Sequence, residues 1–189
     1  MQHYSAGTRQ QLPSPLFEQM GHYRRSVFIE QLGWELQTTN GMELDEFDGP
    51  NAVYVCSHDD MGQVSGVARL LPTTAPYLME KVFPELWAGT QLPHDPSIWE
   101  LSRFAAAAST QNQQASTHQA SAYHAEELLL SVMRTSLALG AHTLVTVSPV
   151  GMERLLRRNG YRVERAGSPI INHGLPIVSL LIDCKQARN

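Results

Sequence analysis

Apolar and polar positions along the chain follow two spacings, and each spacing predicts one kind of element. Apolar residues at helical spacing follow Ser14-Pro15, an N-cap followed by proline, and continue to Gly33. Two shorter apolar runs, Ala52 to Ser57 and Gln63 to Leu71, are typical of strands. The turn residues Asp59 to Gly62 lie between them, so the first third of the chain is predicted to be a helix followed by a β-hairpin.

The rest of the chain alternates between the two spacings. Pro76 to Leu86 predicts one or two short helices, and Ser97 to Ala105 predicts a strand. Residues 106–121 hold no side chain that could anchor a core and predict a mobile loop. The remaining predicted elements are a long amphipathic helix from about Ala122 to Leu139 ended by Gly140, a strand from His142 to Ser148, a helix from Val150 to Asn159, and strands from Tyr161 to Arg165 and from Leu175 to Cys184.

This order of elements predicts an α/β fold, a three-layer αβα sandwich around a mixed sheet. An early hairpin followed by helix crossovers to later strands fits an N-acyltransferase (GNAT-like) architecture better than a doubly wound nucleotide-binding fold. A chain of 189 residues and 21.0 kDa is long enough for one sizeable core. We therefore predict a single domain over residues 1–189.

Composition excludes several classes of protein. The chain is 42% hydrophobic and 17% charged, and it has no uninterrupted apolar run of the roughly 18 residues that a membrane span requires. Its first residues lead into no apolar segment, so we expect a cytoplasmic protein. Two cysteines imply no disulfide framework, and the histidines form no His-Glu-x-x-His motif. We expect no metal site.

The net charge of -4 is unevenly distributed. Between Glu30 and Asp60 there are acids but no lysine or arginine, which suits a cationic ligand. Between Arg154 and Arg165 there are five arginines, which suits an anionic partner. A solvated charged face explains either segment equally well. Nucleic acid is disfavoured, since the chain is acidic overall and carries no recognised binding motif.

One set of charged and aromatic residues stands out against apolar surroundings. Buried charges are costly unless they are paired, so such a set usually marks a site. The alternative is an ion-pair network that only braces the fold. Glu100 and Arg103 are three apart, and a regular strand would turn them to opposite faces, so a common site requires a bulge. The set comprises Arg24, Phe28, Trp34, Asp45, Asp48, Arg69, Glu100 and Arg103.

With these residues the chain resembles the acyl-homoserine-lactone synthases, the autoinducer synthases of bacterial quorum sensing, over nearly its whole length. The matching motifs are, in chain order, Arg24 with Phe28, Gly33-Trp34, Asp45 with Asp48, Arg69-Leu70-Leu71-Pro72-Thr73-Thr74-Ala75-Pro76-Tyr77, and Trp99-Glu100-Leu101-Ser102-Arg103-Phe104. The resemblance implies a reaction of S-adenosylmethionine with an acyl group carried on acyl carrier protein. Its products are an N-acyl-homoserine lactone and methylthioadenosine. S-adenosylmethionine is then a consumed substrate, and no cofactor is expected.

The residue types suit that chemistry. Acids and aromatic faces attract a sulfonium cation, and an arginine can hold the substrate carboxylate. The expected S-adenosylmethionine site is Arg24, Phe28, Trp34, Asp45, Asp48 and Arg103. The expected catalytic residues are Glu100, Arg69, Asp45 and Arg103, with Glu100 as the base, directly or through one water.

Two further regions are expected to serve the acyl donor. The acyl-chain pocket is predicted at Leu144, Thr146, Ser148, Met152 and Leu155. In the family, a threonine in this strand is associated with 3-oxo substrates. Carrier-protein docking is predicted at Arg154, Arg157 and Arg158.

Two other functions remain open. A generic N-acetyltransferase would share the fold, but it should carry a glycine-containing pyrophosphate loop at a helix start, and no such loop is found. A binding module without activity is the second alternative.

Overall fold

The computed structural model describes residues 2–89, 91–106 and 118–185, with only the backbone of residues 118–121. Its strands are β1 His3–Thr8, β2 Thr38–Thr39, β3 Met42–Glu43, β4 Val53–His58, β5 Val64–Pro72, β6 Ile98–Ala106, β7 Thr143–Pro149, β8 Val163–Arg165, β9 Ile170–Asn172 and β10 Leu175–Asp183. Its α-helices are α1 Ser14–Arg24, α2 Leu78–Val82, α3 His118–Ala138 and α4 Val150–Arg158. A π-helix, Arg25–Gln31, continues α1, and a 3₁₀ turn, Pro84–Leu86, follows α2.

The described residues form two compact units, with the boundaries falling inside β5, β6 and α3. The first unit contains the chain up to Arg69 and the described residues between 103 and 132. The second contains residues 70–102 and the described chain from Met133 onward.

In the first unit the strand order is β1-β4-β5-β6. β1 pairs antiparallel with all of β4, from His3 opposite His58 to Thr8 opposite Val53. Helices cover both faces of these strands. Phe17 of α1 meets the ring of Tyr54 edge-on, whereas His124 of α3 is hydrogen bonded to the Ser57 hydroxyl at 2.9 Å. Tyr54 and Ser57 are three apart in β4 and therefore point to opposite faces, which gives this unit three layers.

In the second unit the order is β5-β6-β7-β10-β8, and β9 also pairs with β10. β6 is parallel to β7, but the paired residues end at Leu101 opposite Thr146. β10 is antiparallel to β7, β8 and β9, so the sheet is mixed. α4 packs against β7, β8 and β10. The predicted α/β class with a mixed sheet is therefore confirmed.

Several predicted boundaries were wrong. Pro13, not Ser14, is the N-cap of α1, and the predicted single helix changes to a π-helix at Arg25. α3 begins at His118, inside the predicted loop, and Ala106 is the last residue of β6; residues 107–117 of that loop lie outside the described residues. The sequence reasoning missed β1, the β2–β3 hairpin and β9. The single-domain assignment stays a prediction.

No helix in the described part of the chain combines the length and the hydropathy that crossing a membrane would need.

Candidate active site

Arg24, at the end of α1, belongs to a cluster of buried charges in the first unit. Its Nε donates to Oε2 of Glu43 at 2.6 Å. Its Nη1 and Nη2 donate to the two carboxylate oxygens of Asp48 at 2.7 and 3.0 Å. The side chain is fully buried. Arg24 therefore has a carboxylate on each edge of its guanidinium and serves as the internal brace of the cluster.

Arg69, on β5, is equally buried and lies between two carboxylates. It forms a two-point pair with Asp45, with Nη2 donating to Oδ2 at 3.0 Å. Its Nη1 also lies 3.1 Å from Oδ1 of Asp48. Asp48 thus bridges Arg24 and Arg69, so the two buried arginines share one carboxylate.

Arg103, on β6, is the arginine with donors to spare. Its Nε donates to Glu43 at 3.2 Å, and its Nη2 donates to Glu43 at 3.0 Å and to Asp45 at 2.8 Å. Its Nη1 makes no hydrogen bond with any residue that the structure describes. Asp45 is also the most exposed carboxylate of the cluster, at 20%, against 1% for Glu43 and 4% for Asp48. Free donors and an accessible acid therefore occur together.

Mutual pairing controls the protonation of the cluster. Burial alone would raise the pKa of Asp48, but the neighbouring Arg24 and Arg69 outweigh it and hold that pKa well below its usual range. Burial also opposes ionisation of Glu43, and hydrogen bonds from Arg103 and Arg24 lower its pKa nonetheless. Three positive and three negative charges therefore balance, which is the condition under which buried charges are tolerated.

Local sequence explains how Glu43 reaches the cluster. Asn40 and Gly41 both have positive φ, 52° and 78°, as a two-residue type I′ turn requires, and they connect β2 to β3. Gly21 of α1 lets β3 approach closely, because a Cβ at that position would lie 2.7 Å from the Cβ of Met42. Glu43 follows Met42 directly and is carried into the interior.

The two aromatic residues form a stack beside Arg103. Phe28 lies in the π-helix and stacks on Trp34 with ring centroids 5.0 Å apart. The Arg103 guanidinium carbon lies 5.6 Å from the Phe28 centroid. Phe28 is 2% exposed and Trp34 is 37% exposed. Trp34 therefore presents the accessible ring, while Phe28 supports both of its neighbours.

The strand that carries Glu100 and Arg103 is irregular at Arg103. Arg103 has a φ of 52°, in the left-handed region that non-glycine residues rarely adopt. Glu100, in the second unit, is 1% exposed. Its two oxygens accept hydrogen bonds from the backbone N–H groups of Leu78 at 2.9 Å and Met79 at 2.7 Å. The first turn of α2 thus fixes the orientation of this carboxylate.

The predicted acyl-chain residues also lie in the second unit. Leu144, Thr146 and Ser148 alternate along β7, so they share one face, and all three are buried. The Ser148 hydroxyl is buried yet has no hydrogen-bond partner among the described residues. Met152 and Leu155 on α4 are half-buried. An unpaired buried hydroxyl is costly and is a suitable contact for a polar group on a ligand.

The three predicted docking arginines are exposed on α4, but they differ in pairing. Arg157 donates to Glu153 at 3.0 Å and to the carbonyl of Val163 at 2.9 Å. Arg165 also pairs with Glu153, at 2.8 Å. Arg154 makes no ion pair with any described residue. The charge of Arg157 is therefore largely satisfied within the protein, whereas Arg154 remains available.

Seven of the eight residues singled out by sequence lie in the first unit and in contact with one another, and Glu100 lies in the second. Sequence reasoning missed Glu43. The Asn40-Gly41 turn and the position of Glu43 two residues before Asp45, on the same side of an extended chain, were the signals that could have identified it. Among the described residues, no group of three or more His, Cys, Asp or Glu side chains is arranged to hold a metal ion.

Comparison with known sequences gives a consistent result. Residues 10–189 match the family model described as autoinducer synthase. The chain is 40% identical over 178 residues to an acyl-homoserine-lactone synthase from Acinetobacter nosocomialis, covering 94% of this chain and 97% of the relative.

Solved structures agree with the sequence comparison. The fold is similar to that of TofI in a ternary complex with an inhibitor and MTA, with a TM-score of 0.82, 37% identity and coverage of 96% of this chain and 91% of TofI. It is also similar to BjaI, a CoA-dependent acyl-homoserine lactone synthase, in a structure with SAM and isopentyl-CoA. That comparison has a TM-score of 0.85, 25% identity and coverage of 98% of this chain and 85% of BjaI.

Proposed function

Since the chain belongs to the acyl-homoserine-lactone synthases, the autoinducer synthase family, we propose that it transfers an acyl group from acyl carrier protein to the α-amine of S-adenosylmethionine. The thioester bond breaks, an amide forms, and the free carrier thiol leaves. The substrate carboxylate then attacks its own γ-carbon, closes the lactone and expels methylthioadenosine. A sulfonium is already a good leaving group, so these two steps need only positioning and proton transfer from the protein.

The observation that carries this proposal is the Nη1 of Arg103, which bonds to none of the residues that the structure describes and lies beside the partly exposed Asp45. The two N–H groups on Nη1 suit the substrate carboxylate, since charge-assisted hydrogen bonds to an arginine are among the strongest in proteins. Asp45 suits the α-ammonium group, and the exposed Trp34 ring suits the sulfonium. Arg24 and Arg69 are fully buried and already paired, so they brace the site and leave Arg103 as the substrate arginine.

Glu100 is proposed as the base that takes the proton from the α-amine, directly or through one water. A free α-amine titrates near about 8, so a modest push makes it nucleophilic. A Glu100→Gln variant should lose turnover at every pH, because an amide accepts no proton. Full turnover of that variant across the pH range would remove Glu100 from this role.

Carrier-protein docking is proposed for the exposed arginines of α4, because acyl carrier protein is strongly acidic. The decisive comparison uses acyl-carrier-protein and acyl-CoA donors with the same acyl chain. Changing Arg154 and Arg158 to Glu should raise the KM for the carrier-protein donor far more than that for the CoA donor. Arg162→Glu is the matched control, since Arg162 is exposed and paired with Glu164. Equal preference of the wild-type enzyme for both donors would contradict the carrier-protein assignment.

The acyl tail is proposed to pass the face of β7 that carries Thr146 and Ser148. The unpaired Ser148 hydroxyl offers a hydrogen bond to a 3-oxo or 3-hydroxy group. Ser148→Ala should therefore lower kcat/KM for a 3-oxo donor relative to the unsubstituted donor of equal length, by about tenfold for one hydrogen bond. An unchanged ratio would show that this hydroxyl does not contact the 3-position.

The overall reaction is tested by mass spectrometry of organic extracts from a host that expresses the protein. We expect N-acyl-homoserine lactones that are absent from a vector-only culture. An empty extract from well-expressed protein, together with turnover of acetyl-CoA and a free amine in vitro, would favour a generic N-acetyltransferase instead. The cytoplasmic location stays a prediction.

A further inference from the structure

Glu43 has contacts unlike those of the other two carboxylates in the cluster. It is 1% exposed, and arginine side chains occupy both of its oxygens. Both oxygens accept from Arg103, and Oε2 also accepts from Arg24. Glu43 is thus enclosed between two arginines, and one of them, Arg103, has an Nη1 without a hydrogen-bond partner in the described part of the chain.

These contacts define the orientation of the Arg103 guanidinium. A guanidinium is planar, and fixing one of its edges fixes the direction of the opposite nitrogen. Glu43 occupies the edge formed by Nε and Nη2, with N···O distances of 3.0 to 3.3 Å. Of the Arg103 nitrogens, only Nη2 donates to Asp45. The edge contact with Glu43 therefore determines where the free Nη1 points.

The backbone conformation of Arg103 also requires contacts that hold this residue in place. Its φ of 52° is unfavourable for a residue with a Cβ, and such conformations persist when the surroundings determine them. Glu43 is itself held in place, since Arg24 contacts it at 2.6 Å and is in turn held at two points by Asp48. Asp48 therefore holds Arg24, Arg24 holds Glu43, and Glu43 holds Arg103.

We propose that Glu43 is a positioning residue that aims the Nη1 of Arg103 at the carboxylate of S-adenosylmethionine. The inference rests on the proposed function, in which Arg103 holds that carboxylate. Glu43 makes no substrate contact of its own and acts through Arg103. Its loss should therefore weaken recognition of the amino-acid end of the substrate more than recognition of the adenosine end.

Methylthioadenosine separates these two ends, because it keeps the adenosine and the thioether but has no carboxylate. Calorimetric titration of Glu43→Gln with both ligands should give an S-adenosylmethionine Kd weakened about tenfold, as expected for one lost charge-assisted hydrogen bond. The methylthioadenosine Kd should change by less than about twofold.

Glu153→Gln is the control, because it removes a carboxylate that two arginines share outside this cluster. It should leave both Kd values at those of the wild-type protein. If Glu43→Gln does not fold, Glu43→Asp keeps the charge and shortens the side chain by one methylene; it should show the same ligand-selective loss.

Equal weakening of both ligands by the Glu43 variants, or no weakening of either, would overturn the positioning role. Failure of the wild-type protein to bind S-adenosylmethionine at all would overturn the proposed function and this inference together. The two failures are thus distinguished by the wild-type titration.

Discussion

Two groups of arginine–carboxylate pairs in the described part of the chain use the same chemistry in opposite surroundings. In the first unit, Arg24, Arg69 and Arg103 are at most 6% exposed and meet carboxylates at hydrogen-bond distance. In the second unit, Arg157 and Arg165 are 54% and 46% exposed and share Glu153. The distances are similar in both groups, so burial is the main difference between them.

Burial changes what each pair can do. A charge that has left water depends on its partner, and losing that partner leaves an uncompensated charge. An exposed charge regains water when its partner leaves, and its pair is worth little. The buried group is therefore suited to fixing positions, and the exposed group to exchanging an internal partner for an acidic surface.

Asp48→Asn should produce the largest effect of this comparison. Arg24 and Arg69 would both lose a buried negative charge, and an amide NH₂ would replace the oxygen that accepts from Arg24 and from the backbone N–H of Asp45. We expect the free energy of unfolding to fall by about 3–5 kcal/mol, measured by urea denaturation. A fall below about 1 kcal/mol would mean that the cluster is no more coupled than a surface pair.

Acid titration tests the same cluster without mutation. The pKa values of Glu43 and Asp48 are lowered in the folded protein, so the stability they contribute is complete above their unfolded pKa values, about 4. That stability is lost as pH falls through the folded values. The urea midpoint should therefore decline steeply below about pH 4, and more steeply for wild type than for Asp48→Asn. Parallel declines would contradict the prediction.

Much of the fold could be predicted from sequence because its signals are local. The turn at Asp59 to Gly62 and the spacing in α4 depend on neighbours in the chain, and both were confirmed. The edge strand β1 was missed because its pairing is with β4, some fifty residues away. The change from α-helix to π-helix at Arg25 was equally out of reach, since no proline or glycine marks it.

The candidate site also has features that the sequence predicted and features that it could not predict. Residue type and order identified the arginines and aspartates, and the spacing of Glu100 and Arg103 predicted an irregular backbone, which is found at Arg103. The sequence could not predict which arginine has a nitrogen without a partner among the described residues. Arg24, Arg69 and Arg103 have the same side chain, so residue type does not distinguish them. Only the geometry of their partners distinguishes them.

Gly21→Ala probes how the buried group is assembled. The new methyl would lie 2.7 Å from the Cβ of Met42, so β3 would have to move away from α1 and take Glu43 with it. We expect a loss of about 1–3 kcal/mol of stability and a higher KM for S-adenosylmethionine. Gly151→Ala is the control, since nothing lies within 4 Å of its Cβ position. If the Gly21→Ala variant keeps the stability and the KM of the wild-type protein, α1 and β3 can separate without disturbing the cluster.

Glu153→Gln should produce the smallest effect, although it removes the common partner of two arginines. The pKa of Glu153 is lowered, chiefly by its hydrogen bond with Arg165, as the pKa values of the buried acids are lowered by their arginines. Arg157 and Arg165 can return to water, however, so we expect a stability loss below about 1 kcal/mol, and a smaller one at high salt. The same change frees two positive charges at the proposed docking arginines and should lower the KM for an acidic carrier-protein donor. A stability loss as large as that of Asp48→Asn would mean that burial does not separate the two groups.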